Sequence, residues 1–174
     1  MTKKERHVLL MSIINENPFL KDDELAAECG VSISTIRNDR AELGIAEYRE
    51  RVKSKAEGES ETHEELLDVT LYENGISVLD TDGSMLFYNT DIVKSQYIYA
   101  FSENLALSVI NAHAALVKVA NVKYIAKVHA GARLVAKSRV IRSRDNEYIV
   151  HVHITCDKAE VFRGKFNLES IGDI

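Results

Sequence analysis

Apolar positions in the first 43 residues recur at helical spacing in three short bursts. In "KKERHVLLMSIINEN", Val8 and Met11, with Leu9 and Ile13 beside them, mark one apolar face, and Asn17-Pro18 ends the helix. Asp22 is the predicted N-cap of "DDELAAECG", which closes on Gly30. Ser32 is the predicted N-cap of "VSISTIRNDRAELG", which stops at Gly44. Ile36 and Leu43 have core spacing in that third helix, with Val31 at the turn before it. Two short helices joined by a tight glycine-containing turn, with a third ahead of them, form a helix-turn-helix pattern.

Ile45, Tyr48, Val52 and Ala56 then fall at i, i+3, i+7 and i+11, a narrow apolar stripe that predicts a linker helix. Beyond Gly58 the chain turns acidic and patternless, which predicts a hinge. From Leu66 the period shortens to two. "LLDVTLYENGISVLDTDGSMLFYN" alternates like strands, with Asn74-Gly75 and Asp82-Gly83 as turn signals. "KSQYIYAFSENLALSVINAHAA" returns to helical character and is mostly apolar. Four strand-like runs follow, "LVKVANVKYIAKV", "ARLVAKSRVIRS", "EYIVHVHITCD" and "AEVFRGKFNLE", each predicted to join the next by a hairpin. The result is an α+β chain: a helix-turn-helix domain over residues 1–43, a linker and hinge over 44–65, and over 66–174 an antiparallel sheet wrapped around one helix.

Glu103 interrupts that apolar helix. Its helical neighbours are Tyr99, Ala100, Ala106 and Leu107, none of them a cation. A carboxylate in such company is either satisfied from elsewhere in the fold or part of a site, and both readings stand at this point.

Composition narrows the class. The chain of 174 residues is 45% hydrophobic and 28% charged, as in globular proteins, and no apolar run nears the ~20 residues of a membrane span. The start "MTKKERHVLLMSIINEN" reads as a helix rather than a signal peptide. Cys29 and Cys156, far apart and in unlike contexts, predict reduced thiols and a cytoplasmic location. The net charge of −5 is an average over unlike parts. Residues 1–55 balance ten basic against ten acidic side chains, so the excess acid lies beyond them, as 12 basic against 17 acidic. Residues 35–55 carry six basic against four acidic, which allows a local DNA contact.

Candidate chemistry gathers on the third helix, from which Ser34, Thr35, Arg37, Asn38 and Arg40 are predicted to project outward. Arg can read guanine with two prongs, Asn can read adenine, and hydroxyls and Arg can hold phosphates. The alternative is a module of the same shape used for protein contact. His151 and His153 share one face of a strand, but no third ligand stands at a useful spacing, and His113 and His129 belong to other elements. Both are therefore expected to face solvent, with no metal bound. Phosphate-cradling glycine loops and an identifiable nucleophile turn are absent, so no cofactor is predicted.

Three stretches, "GVSISTIRNDRAELGIAEYRERVK", "FYNTDIVKSQYIYAFSENLALSVI" and "ANVKYIAKVHAGARLVAKSRV", together resemble the bacterial fatty-acid and phospholipid biosynthesis regulator (FapR) family, over nearly the whole chain. The resemblance implies a homodimer, each chain with a DNA-binding module, a linker helix and a hot-dog domain. It implies repression of fatty-acid synthesis genes at double-stranded operator DNA, and release when malonyl-CoA or malonyl-acyl carrier protein binds the hot dog. Phe87, Lys94, Ser95, Glu103 and Asn104 become the expected ligand contacts. Lys94 falls where the family has an arginine, Ser95 where it favours glycine, and Glu103 where it has an asparagine. Lysine keeps the charge but not the two-pronged fork, and Glu103 would repel a bound carboxylate unless Lys94 or a proton intervenes. Hot-dog thioesterases resemble one another in placing a catalytic Asp or Glu at this helix position. The competing reading is therefore an acyl-CoA thioesterase with Glu103 as general base or nucleophile, although "KSQYIY" lacks the His-Gly-Gly opening of many such enzymes.

Overall fold

A computed structural model describes residues 1–51, 63–112 and 114–171. The chain packs as two units, Met1–Lys55 and Ala56–Ile174.

The first unit holds α1 (Lys3–Glu16), α2 (Asp22–Cys29) and α3 (Ile33–Leu43). Thr2 and Glu5 cap α1 reciprocally: the Glu5 carboxylate accepts from the Thr2 N–H at 2.8 Å, and the Thr2 hydroxyl accepts from the Glu5 N–H. Leu10, Leu25, Ala26, Cys29 and Ile36 form the core, closed over by Ile13, Ile14, Val31, Leu43 and Ile45. The apolar face of α1 is thus Leu10, Ile13 and Ile14. The predicted face is corrected, since Val8 and Met11 are 71% and 50% exposed. Both sets have helical spacing, and the i, i+3, i+4 set centred on Leu10 makes the wider stripe.

Lys21, not Asp22, is the N-cap of α2, and the Glu24 carboxylate accepts its N–H at 2.7 Å. Asp22 is the first helical residue, which leaves its carboxylate available elsewhere. Gly30 and Gly44 end α2 and α3 in the left-handed conformation, at φ of 63° and 67°, where a side chain would be strained. Ser32 caps α3 as expected, its Oγ accepting from the Thr35 N–H at 3.2 Å. A helical stretch begins at Tyr48, while Val52, Ala56 and the hinge at Gly58 lie outside the described residues.

The second unit holds β1 (Glu64–Thr70), β2 (Asn74–Asp80), α4 (Ser95–Val109), β3 (Ala115–Tyr124), β4 (Arg133–Arg144), β5 (Glu147–Cys156) and β6 (Ala159–Ser170). The strands form one antiparallel sheet in the order β1-β2-β4-β5-β6-β3. Two expectations are corrected. β3 does not form a hairpin with β4 but crosses to pair with β6 at the far edge, while β2 takes the place beside β4. The β1–β2 turn is not Asn74-Gly75, which lies inside β2, but Leu71–Glu73, with Tyr72 at φ 62° and its N–H bonded to the Val109 carbonyl at 2.7 Å.

The reason Gly75 sits in a strand is the helix above it. A Cβ at Gly75 would lie 3.0 Å from Leu105 Cδ1 and 3.2 Å from Ser138 Oγ. Gly75, Ser77, Ala136 and Ser138 are paired across β2 and β4, and α4 packs on both strands. Small side chains there let the helix approach the sheet. α4 buries Ile98, Phe101, Ser102, Leu105, Ala106 and Val109, an unbroken i, i+3, i+4, i+7, i+8, i+11 face. Val150, Val152, Ile154, Phe162, Phe166 and Leu168 meet it from β5 and β6, none of them accessible to solvent. A curled antiparallel sheet around one long helix is the hot-dog fold.

Candidate DNA-contact and ligand sites

At the start of α3 the Ser32 hydroxyl lies 2.8 Å from Ser34 Oγ and 2.9 Å from Thr35 Oγ1, so three hydroxyls gather where the helix N–H groups point outward. Arg37 and Asn38 are exposed on the next turn, Arg37 with 68% of its side chain in solvent. Ser34 is exposed and Thr35 half-buried. Arg40 departs from the prediction. It is 5% exposed, and its Nε and Nη2 donate to the two Asp22 oxygens at 2.8 and 3.0 Å. Its periodicity is ambiguous, because residue 40 follows Ile36 by one full turn and so shares the core-facing side.

Two buried polar side chains with no signal in the hydrophobic pattern, Asp39 and Arg51, brace this surface. Asp39 is buried, takes two hydrogen bonds from Arg6 at 2.5 and 3.1 Å, and lies 3.0 Å from His7 Nε2. Those bonds hold its carboxyl below the usual range, Arg6 contributing most. Arg51 is buried and donates to the carbonyls of Pro18, Ala46 and Leu20 at 3.0, 2.7 and 2.5 Å, tying residues 46–51 to the α1–α2 turn.

In the hot-dog unit the N-terminus of α4 borders a mostly apolar pocket of 300 Å³, walled by Phe87, Ile92, Ser95, Ile98, Tyr124 and Val128. Lys94 is the N-cap, half-buried, its backbone held by an N–H bond to the Met85 carbonyl at 2.8 Å. The Tyr124 hydroxyl donates to the Ser95 carbonyl at 3.3 Å. Phe87 and Ser95 therefore meet at one end of the helix, whereas Lys94 is not among the lining residues and Lys127 is the lysine that is. Glu103 and Asn104 do not line this pocket, since eight residues of helix separate Ser95 from Glu103, about 12 Å.

Asn104 is engaged on the β1 side, where its Nδ2 donates to Glu64 Oε2 at 3.0 Å. Burial pushes the Glu64 carboxyl up to about 7, against the opposing effect of that bond. Glu103 is half-buried and, among the described residues, makes no hydrogen bond or ion pair. Burial raises its carboxyl as well. The possibility that the rest of its own described chain satisfies it is therefore removed.

The histidines divide. His153 is exposed and lies 2.6 Å from Glu160, which Arg163 also holds. His151 is only half-exposed, with Nε2 buried and unpartnered, and burial lowers its pKa. His113 lies outside the described residues. Cys29 and Cys156 are free thiols, the first buried. No described helix is long and apolar enough to cross a membrane.

A helix-turn-helix unit with a polar, exposed face on its third helix, joined to a hot-dog unit with a pocket at its central helix, defines a two-unit transcriptional regulator. The chain belongs to the FapR transcription factor family. It is 52% identical to the transcription factor FapR of a Thermoanaerobacter species, over 99% of this chain and 91% of that protein. It is 38% identical to FapR of an Exiguobacterium species, over 98% and 96% of the two chains. It is 34% identical to FapR of Bacillus subtilis, over 95% of each. No family model matches the chain. Solved structures share the hot-dog fold at low identity. An uncharacterized Pyrococcus horikoshii protein has a TM-score of 0.62 at 20% identity, covering 66% of this chain and 88% of its own. A Streptococcus mutans protein bound to acetyl-CoA has a TM-score of 0.60 at 17% identity, covering 67% and 95%.

Proposed function

We propose that the protein is a dimeric repressor of fatty-acid and phospholipid biosynthesis genes, released from operator DNA when malonyl-CoA, or a related acyl thioester of coenzyme A or acyl carrier protein, binds the hot-dog unit. The observation that carries this reading is the pairing of two built surfaces on one chain. Ser34, Thr35, Arg37 and Asn38 stand at the exposed start of α3, held by the Ser32 cap and the Arg40–Asp22 pair. Phe87 and Ser95 line a pocket by the α4 N-terminus, with the N-cap Lys94 next to Ser95 in the chain.

The chemistry follows from those groups. The α3 hydroxyls and Arg37 hold phosphates, and Arg37 and Asn38 reach base edges. Arg40 acts as a positioning residue behind them. The apolar pocket takes the pantetheine or acyl chain, and Lys94 attracts an acyl carboxylate. Ligand releases DNA only by favouring one arrangement of the two units over the other, because equal affinity for both shifts nothing.

Glu103 supports a second reading, an acyl-CoA thioesterase, because it is half-buried, unpaired and less acidic than usual. One experiment separates the two. Thermal shift with malonyl-, acetyl- and long-chain acyl-CoA is run beside a thiol-release assay. The regulator reading expects stabilisation by malonyl-CoA without turnover, and loss of operator binding in its presence. Turnover that vanishes in Glu103→Gln overturns it.

A further inference from the structure

Beyond residue 55 acid outnumbers base, 17 to 12, yet the basic side chains of this unit are not spread evenly. Strand register places them. Ala136, Ser138, Val150, Val152 and Ile154 are buried on the side of the sheet that carries α4, so their neighbours in sequence face the other side. On that outer side Lys137 pairs with His153, His153 with Arg163, and Arg163 with Lys123, a row across β4, β5, β6 and β3. The next row runs from Arg139 through His151 to Lys165 and Asn121. Arg142 begins a third row, beyond a bulge in β4, with Ile149 and Asn167. Among the described residues Glu160 is the acid paired within these rows, to His153 and Arg163. Lys123, Lys137, Arg139, Arg142 and Lys165 make no ion pair among the described residues. Neighbouring strands lie ~4.8 Å apart, so each of the first two rows, crossing four strands, spans roughly 14 Å.

We propose that this outer face of the sheet is a second DNA contact, independent of sequence, which binds duplex DNA in addition to the contact made by α3. It rests on the DNA-binding reading of the first unit. An acidic protein is the other polyanion that such a face attracts, and the composition of the rows decides against it. Protein interfaces place aromatic and apolar anchors in a dry centre, whereas the first two rows offer cations, imidazoles and one amide. Phosphate binding needs only cations, because affinity comes from release of counterions condensed on the duplex. Covalent attachment to a unit already on DNA supplies the effective concentration that makes so weak an interaction count.

The test uses the full chain and random-sequence duplexes of two lengths, one sufficient for the first unit alone and one several turns longer, titrated over a salt series. The triple variant Lys137→Gln, Arg139→Gln, Lys165→Gln removes three exposed or unpaired cations, and its unchanged melting temperature establishes that it folds. On the long duplex the slope of log K against log salt is expected to flatten by about 2 to 3 relative to wild type, since each phosphate neutralised by a cation contributes ~0.9. On the short duplex the two proteins should coincide. Equal slopes and equal affinities on the long duplex overturn the proposal. So does a triple variant that keeps its DNA slope and instead loses binding to polyglutamate. Failure of wild type to bind either duplex, while Arg37→Ala is equally inert, sinks the underlying DNA reading and this one with it.

Discussion

The guanidinium of Arg40 meets the Asp22 carboxylate edge to edge, at 2.8 and 3.0 Å, with side-chain exposures of 6% and 18%. The pair joins the first residue of α2 to the far half of α3, fixing the angle at which α3 is presented. Arg40 also donates to the Ile45 carbonyl at 3.3 Å, so one side chain locks three segments.

Removing either partner leaves a buried charge uncompensated, which costs about 3 kcal/mol or more. Asp22→Ala and Arg40→Ala are expected to lower the melting temperature of the first unit and to weaken DNA binding in proportion to unfolding. Arg40→Lys should recover only part of the stability, because a lysine cannot form the two-pronged pair. Circular dichroism melts read the outcome. If Arg40→Ala melts like wild type, the pair is not a structural lock.

Arg37→Ala and Asn38→Ala should behave oppositely. Both residues are exposed, so the melting temperature should hold within error while operator affinity drops by about 1 to 3 kcal/mol for each base no longer read. Arg37 also lies 3.3 Å from Asp22, but at 68% exposure that pairing is screened and contributes little. Fluorescence anisotropy on an operator duplex measures the difference, and undiminished affinity in both variants would remove α3 from the interface.

Glu64 gives the hot-dog unit a pH signature. Its carboxyl titrates at about 7 in the fold, against an ordinary value of 4.5. Between those values the folded unit holds a proton that the unfolded chain has released. Stability therefore falls as pH rises from 4.5 to about 7 and levels off above. Glu64→Gln should melt like wild type at the acid end and above it at pH values beyond 7. Superimposable melting profiles across the range would show that Glu64 ionises normally.

Packing at the helix–sheet boundary predicts two glycine effects of different size. Gly75→Ala brings a methyl to 3.0 Å from Leu105 Cδ1 and should cost about 1 to 3 kcal/mol, the usual cost of overpacking. At Gly164 the added carbon would lie 2.7 Å from Phe166 Cε2 and 3.1 Å from Phe162 Cε1, so the destabilisation should be larger. Urea denaturation of the two variants ranks them, and a Gly164→Ala as stable as wild type would mean that the two rings are free to move aside.

The helix ends at Ser32, Gly30 and Gly44 could be read from the chain because a cap needs only its own residues. That α4 is a long, mostly apolar helix was legible for a similar reason, since a long helix repeats its apolar positions often enough to show, while which of them are buried came from the structure. The face of α1 was not, because 14 residues offer two stripes of helical spacing and only α2 and α3 choose between them. Gly75 misled because glycine signals a turn and a close approach alike, and the approaching Leu105 lies 30 positions away in sequence. The pairing of β3 with β6 is likewise invisible to local pattern, since alternation marks a strand without naming its neighbour. At the candidate ligand site, Phe87 and Ser95 were brought together without Lys94, while the partner of Asn104 on β1 carried no sequence signal.

The position of β3 has a consequence for how the chain is made. Its partner β6 is synthesised after β4 and β5, which pair with each other and not with it. The core of Leu10, Leu25 and Ile36, by contrast, closes within the first few dozen residues. On the ribosome the three-helix unit can fold while the second unit is still an open sheet with a waiting strand. A nascent chain can thus pass through a stage at which its helical unit is folded and its hot-dog unit is not.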